Sequence, residues 1–277
     1  RSRYPADVSK YGGMNMKFYL RLSLNIFKQN MAYRFEYITK VVALFLTVFA
    51  QYYIWRVLLV YQNNTSDVNI TEMTTYIIVS TVIGIVLNNR IISEINDQIY
   101  TGKIGTELVK LYSYFSLMLA RTIGEMLFQL TFFAVPLLIV MYAIFHFSIP
   151  DLKSFLLFFC SFAAGGFLRI LICFFLGILG FWFSQVWALE RLLNDLIKLF
   201  SGAWIPLWFF PDYLKRTAEV LPFQYIYFAP ISIYIGKYGT AEVLGILGKQ
   251  LFWIVLFGTV CYLVWKKAIY KIVIQGG

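Results

Sequence analysis

Apolar stretches of the length a helix needs to cross a bilayer core, about 20 residues, recur along this chain and leave it few alternatives. They cover residues 38–61, 73–92, 123–145 and 154–183, then a stretch that emerges from 190–198 and ends near Phe210, and finally 250–265. Backbone N–H and C=O groups find no water in hydrocarbon, so such stretches must satisfy their hydrogen bonds internally, as helices. The runs are too continuous for a transmembrane barrel, whose strands read as shorter alternating segments. Charged residues make up 14% of the sequence, against about 25% in soluble domains. The expectation is an all-α membrane protein with six transmembrane helices in one domain, residues 14–277. Residues 1–13 are polar, read as a tag or disordered terminus, and lack the apolar core of a signal peptide.

The net charge of +10 could suggest nucleic acid, but its distribution points to membrane orientation instead. Residues 1–40 hold eight Lys and Arg, residues 62–72 none, and residues 90–121 four. Basic residues favour the cytoplasmic side, which places the amino terminus and the 90–121 interval there. Lys266, Lys267 and Lys271 follow the sixth span and return the carboxyl terminus to the same side. Lys215, Arg216, Lys237 and Lys249 fall on the outer side, against this trend.

Three intervals carry more than topology. In residues 17–35, Leu20, Leu24, Phe27, Met31 and Phe35 recur at three- and four-residue steps opposite Lys17, Arg21, Asn25 and Lys28, which predicts a basic amphipathic helix in the inner headgroup layer. In residues 93–125, Ile91, Ile95 and Ile99 recur every four residues beside Glu94, Asp97 and Gln98, and Gly102 and Gly105 break the pattern. This is a short amphipathic helix ending at glycine. Acids suit an anionic membrane surface poorly, so a helix that docks on a partner protein accounts better for it. In residues 201–237, proline recurs among aromatics: Pro211 and Asp212 start a short helix, and Pro222 and Pro230 leave pieces too short to cross, predicting re-entrant or interfacial helices on the outer side.

Candidate pathway residues are few. Arg169 lies near the middle of the fourth span, where a charge is costly, in a row of small residues at four-residue steps, Ser161, Gly165, Cys173 and Gly177, that lets another helix approach. It reads either as a pathway residue or as a structural anchor, with Glu125 and Gln129 of the third span as possible partners. Trp208, Phe209, Phe210 and Phe223 belong to a crowd of outer aromatics that serves equally as an interfacial belt or as a hydrophobic gate. His146 is the single histidine, and the three cysteines, Cys160, Cys173 and Cys261, lie in apolar segments. With no HExxH, CxxC or GxxxxGK[ST] motif, neither a metal site nor a cofactor is expected, and the chain has no visible means of hydrolysing ATP.

Three stretches, EINDQIYTGKIGTELVKLYSYFSLMLAR, GGFLRILICFFLGILGFWFSQVWALERLL and FSGAWIPLWFFPDYLKRTAEVLPFQYIYFAPISIYIG, together with the spacing of the spans, resemble the type-2 ABC exporter permeases. The closer likeness is to the short branch that works with a separate ATPase and a sister permease. The resemblance implies that residues 17–35 are the connecting helix, residues 94–101 (with Glu94, Ile95, Asp97, Gln98, Ile99 and the following Gly102) the ATPase-coupling helix, and residues 211–235 the outer re-entrant pair. It further implies a bacterial plasma-membrane exporter of drug, peptide, lipid or glycan. Its partners would be ABC ATPase subunits holding ATP and Mg, a second permease copy or sister chain, and membrane lipid, with no nucleic acid. The alternative is a secondary transporter or channel independent of any ATPase, with Arg169, Glu125 and Gln129 as its site. Inverted repeats, which would favour that alternative, are not evident.

Overall fold

In the computed structural model the described residues are 16–30, 34–61, 69–108, 113–183 and 186–275. The expectations for residues 1–13, for Met31 and for most of the 62–72 interval lie outside them. The described chain is helical: α1 (Met16–Asn30), α2 (Arg34–Tyr61), α3 (Ile70–Val86), α4 (Ile91–Tyr100), α5 (Lys103–Leu108), α6 (Tyr114–Gln129), α7 (Val135–Phe145), α8 (Leu152–Leu179), α9 (Val186–Phe200), α10 (Asp212–Val220), α11 (Phe228–Tyr234) and α12 (Thr240–Gln275). Among the described residues, five helical runs are long and apolar enough to cross a membrane: Thr39–Val60, Ile70–Tyr100, Tyr114–Phe145, Leu152–Leu179 and Thr240–Tyr270.

The second run is longer than the sequence suggests because α3 breaks at residues 87–90 and resumes as α4, reaching Tyr100. The third passes through a single π turn, Leu130–Ala134, between α6 and α7. Pro136, with no N–H and a ring that crowds the preceding turn, sits just beyond it, and the wider turn lets the helix continue to Phe145.

The expected fifth span is not a long helix. Its first part is α9, 15 residues with a strongly two-sided pattern, which ends at Phe200. Pro206 and Pro211 then interrupt the apolar run, and residues 201–211 form turns and one 3-10 turn, Leu207–Phe209.

The centre is α8. The row of small residues on this helix admits three different neighbours. At Gly165 a Cβ would stand 2.4 Å from the Tyr225 carbonyl oxygen, and at Gly177 a Cβ would stand 2.7 Å from the Ile95 side chain. Beside Ser161, the buried Gln250 of α12 donates its Nε2 to the carbonyls of both Ser161 and Tyr225, each at 2.9 Å. Helix α1 packs along α6: Ser23 Oγ donates to the Ala120 carbonyl at 2.7 Å, and Phe27 meets Phe128 and Phe132. It is thus held against the bundle by its serine face, while Leu20 and Leu24 of the expected apolar face stay exposed.

Candidate functional site

Helix α4 forms where the isoleucine spacing predicts a docking helix, but its covered face is the opposite of the expected one. Ile95 is 0% exposed because Gly177 of α8 leaves room for it, and Ile91 and Ile92 are buried in the same cluster. Ile99 is half-buried in the same cluster. Glu94 forms an ion pair with Arg121 of α6. Gln98 accepts from the Tyr114 hydroxyl at 2.9 Å and donates to Glu94 at 3.4 Å. What remains open is Asp97 and the elbow that follows: Tyr100 (91% exposed), Thr101, Gly102 and Lys103. Gly102 has φ +72°, a left-handed conformation that glycine adopts without strain, and it turns the chain from α4 into α5. A groove of about 240 Å³ opens beside the elbow between Asn96, Asp97, Tyr100, Phe183, Trp187 and Glu190. The isoleucines are therefore an internal seam, and the acid and the elbow are what this segment leaves open.

From this seam α6 leads inward. Arg121, Glu125 and Gln129 stand at four-residue steps, one above the other on the same face. Arg121 holds α4, while Glu125 and Gln129 line a cavity of about 800 Å³. Its other walls are Lys40, Thr47 and Gln51 of α2, Ser80, Gly84 and Asn88 along α3, Arg90, Lys198 of α9, and Trp204 and Tyr227. Gln129 donates its Nε2 to the Asn88 carbonyl at 2.9 Å, and its buried Oε1 has no hydrogen-bond partner. Glu125 lies within electrostatic reach of both Arg90 and Arg121.

Sequence reasoning found Glu125 and Gln129 but missed Lys40 and Arg90, which read there only as flanks that orient the spans, and Lys198, which read only as the end of an amphipathic interval. The available signal was periodic: Ser80, Gly84 and Asn88 repeat every four residues, and Lys40, Ala43, Thr47 and Gln51 fall on one face of α2.

Arg169 is elsewhere. It is 8% exposed and does not line this cavity. Its Nη2 donates to Asn194 Oδ1 of α9 at 3.4 Å, and its Nε is buried without a partner. The partners expected from sequence, Glu125 and Gln129, are on the cavity wall, and Arg169 ties α8 to α9 instead.

The outer aromatics form a wedge over the unwound chain after α9. Trp208 packs edge-on against Tyr76 at 5.1 Å and against Phe228 at 5.3 Å, and Phe209 lies on Trp55 at 4.8 Å. Phe210 and Phe223 are half-buried beside them. None of these four lines the 800 Å³ cavity, which receives Trp204 and Tyr227. The unwound carbonyls are satisfied by α3: the Tyr76 hydroxyl donates to Gly202 at 2.6 Å and Ser80 Oγ to Ala203 at 2.8 Å. Gly202 is required twice, by its φ of +79° and because a Cβ there would stand 2.8 Å from the Tyr76 hydroxyl oxygen. Lys237, one of the basic residues that defied the orientation trend, is ion-paired with Glu72. Burial beside Glu242 and Glu219 pushes the nearby Tyr238 phenol up from its ordinary value, so it stays neutral.

Compared with known families, residues 45–276 match the family described as ABC-2 family transporter protein. No curated protein matches the chain.

Proposed function

The chain belongs to the ABC-2 family of transporter proteins, and from that membership we propose that it is the permease subunit of an ATP-driven exporter in a bacterial plasma membrane. It moves an amphipathic or hydrophobic cargo and pairs with a second permease, a copy or a sister chain, and with ABC ATPase subunits that hold ATP and Mg. Both termini face the cytoplasm. The sixth crossing is made by α9 with residues 201–211: a 15-residue helix spans about 22 Å, short of the roughly 30 Å core. Irregular backbone completes it because its carbonyls are buried and paired with α3.

One observation carries the mechanism: the ion pair from Glu94 to Arg121 lies on the α6 face that continues, at four-residue steps, to Glu125 and Gln129 in the cavity wall. The ATPase seats on Asp97 and the elbow at residues 100–103. Its closure on ATP displaces α4, and because α4 is fixed to α6 by charge and to α8 by packing, the displacement reaches the cavity lining. Such coupling requires that the ATPase bind the two permease states differently. The outer wedge of Trp208, Phe209, Phe210 and Phe223 closes the far end. Arg169 acts as an anchor between α8 and α9. The ATPase-independent alternative loses support, since Arg169 stands apart from Glu125 and Gln129.

The reading is tested by purifying the chain with the ATPase encoded beside it. Glu94→Arg or Arg121→Glu alone is expected to reduce ATP-driven transport about tenfold, an effect of the size seen for breaking a partly buried charge pair. The double exchange, which restores the pair, is expected to recover most of it. Equal transport by all three variants would refute this coupling route.

A further inference from the structure

We propose that the cavity between α2, α3 and α6 accepts a neutral amphiphile whose head is a polyol, with hydroxyl groups that donate as well as accept. This rests on the permease reading and names the class of cargo or ligand the subunit handles. The charges on the wall are matched from within. Arg90 faces Glu125, and Arg121 is paired with Glu94. Lys198 stands 3.9 Å from Asp195 and 5.5 Å above the Trp204 ring, and Lys40 is held in an interaction of its own. A charged ligand would have to break one of these pairings or lie unpaired at membrane depth, where a bare charge is costly. An uncharged ligand meets neither cost.

The uncharged polar groups specify the head. On α2, Thr47 and Gln51 stand one turn apart; on α3, Ser80 and Thr81 adjoin, and all four line the cavity. The three hydroxyls have already given their hydrogens: Thr47 to the Ala43 carbonyl, Thr81 to that of Ile77 and Ser80 to that of Ala203, each at 2.8 Å. What each has left is an oxygen that can only accept. The Gln51 amide makes no hydrogen bond among the described residues and can both donate and accept. An ether or ester head, made of acceptors alone, leaves the three oxygens without donors, whereas hydroxyls satisfy them and Gln51 together. One turn along each helix, at Leu44 and Ile85, the lining offers apolar surface for a tail. The volume of about 800 Å³ falls within the range of small-molecule sites, roughly 300–1,000 Å³.

The experiment places the chain with its ATPase in neutral phosphatidylcholine nanodiscs. Octyl glucoside below its micelle concentration, its tetra-O-methyl ether, octyl phosphate, octyltrimethylammonium and glucose are titrated in turn. The signal is the part of the tryptophan emission change that disappears in Trp204→Phe. Octyl glucoside is expected to bind, the methyl ether and both charged amphiphiles to bind about tenfold more weakly, and glucose alone to give no signal. Thr47→Val combined with Gln51→Leu should weaken octyl glucoside about tenfold and leave the methyl ether unchanged, a split that misfolding cannot produce. Glu125→Gln, which deprives Arg90 of its carboxylate, should tighten octyl phosphate severalfold. The proposal is overturned if the methyl ether or either charged amphiphile binds as tightly as octyl glucoside, or if none of them gives a signal that depends on Trp204. An octyl glucoside affinity unmoved by the double substitution, or an octyl phosphate affinity unmoved by Glu125→Gln, overturns it as well. If the chain assembles with no ATPase, the permease reading fails, and the same titration on the chain by itself still decides the cavity.

Discussion

Gln250 is the residue on which the α8 contact with its neighbours most visibly depends. Fully buried on α12, it serves two carbonyls from different segments, Ser161 and Tyr225. Replacing it by leucine leaves two acceptors unsatisfied, at a cost of about 1–3 kcal/mol for such groups. Gln250→Leu is therefore expected to lower the midpoint of unfolding in detergent, and an unchanged midpoint would contradict that role. Arg169 makes a related case with a different outcome. As an anchor to Asn194, its replacement by leucine should lower the unfolding midpoint while leaving ATP-driven transport per folded complex unchanged, whereas a pathway residue would alter that transport. The sequence revealed that Arg169 must face protein, because a charge in an apolar run has no other low-energy place. It did not reveal the partner, since Asn194 lies 25 residues later on a separate helix, α9, that no local pattern connects to Arg169.

Among elements, α4 shows what periodicity can and cannot tell. The four-residue spacing of Ile91, Ile95 and Ile99 gave the helix, and Gly102 its end, because both are local properties of the backbone. Which side would be covered depended on glycines about eighty residues later, Gly177 and Gly180 of α8, that no local pattern connects to α4. The fifth span failed for a different physical reason. Hydrophobicity continues through Phe210, but Pro206 and Pro211 forbid a continuous helix, and Tyr76 and Ser80 stabilise the unwound form by taking up its carbonyls. Removing that support tests the element directly. Tyr76→Phe loses the hydrogen bond to Gly202 and is expected to destabilise the chain by about 1 kcal/mol, read as a lower unfolding midpoint. A midpoint equal to that of the unaltered chain would show that the hydroxyl contributes nothing there.

On the scale of the whole molecule, one ion pair links the segment that bears the elbow to the helix that lines the cavity. The exposed elbow lies at one end of an internally fixed helix, and the cavity begins about one turn along the helix to which it is paired. Six crossings would put that elbow in the cytoplasm and α10 outside. In a chain with Cys160, Cys173 and Cys261 replaced by serine, Lys215→Cys should react with a membrane-impermeant maleimide on intact cells, and Thr101→Cys only after permeabilisation. The reverse pattern would invert the orientation.

If the elbow, and not the isoleucine face of α4, receives the ATPase, then altering Tyr100, Thr101 and Lys103 together to alanine changes how much ATPase co-purifies with the chain and how fast the complex hydrolyses ATP. The control carries Val57→Ala, an exposed change on α2. The elbow variant is expected to fold, with an unfolding midpoint equal to that of the unaltered chain, and to lose most of its bound ATPase, while the control keeps it. Full ATPase recovery and unaltered hydrolysis in the elbow variant would contradict it.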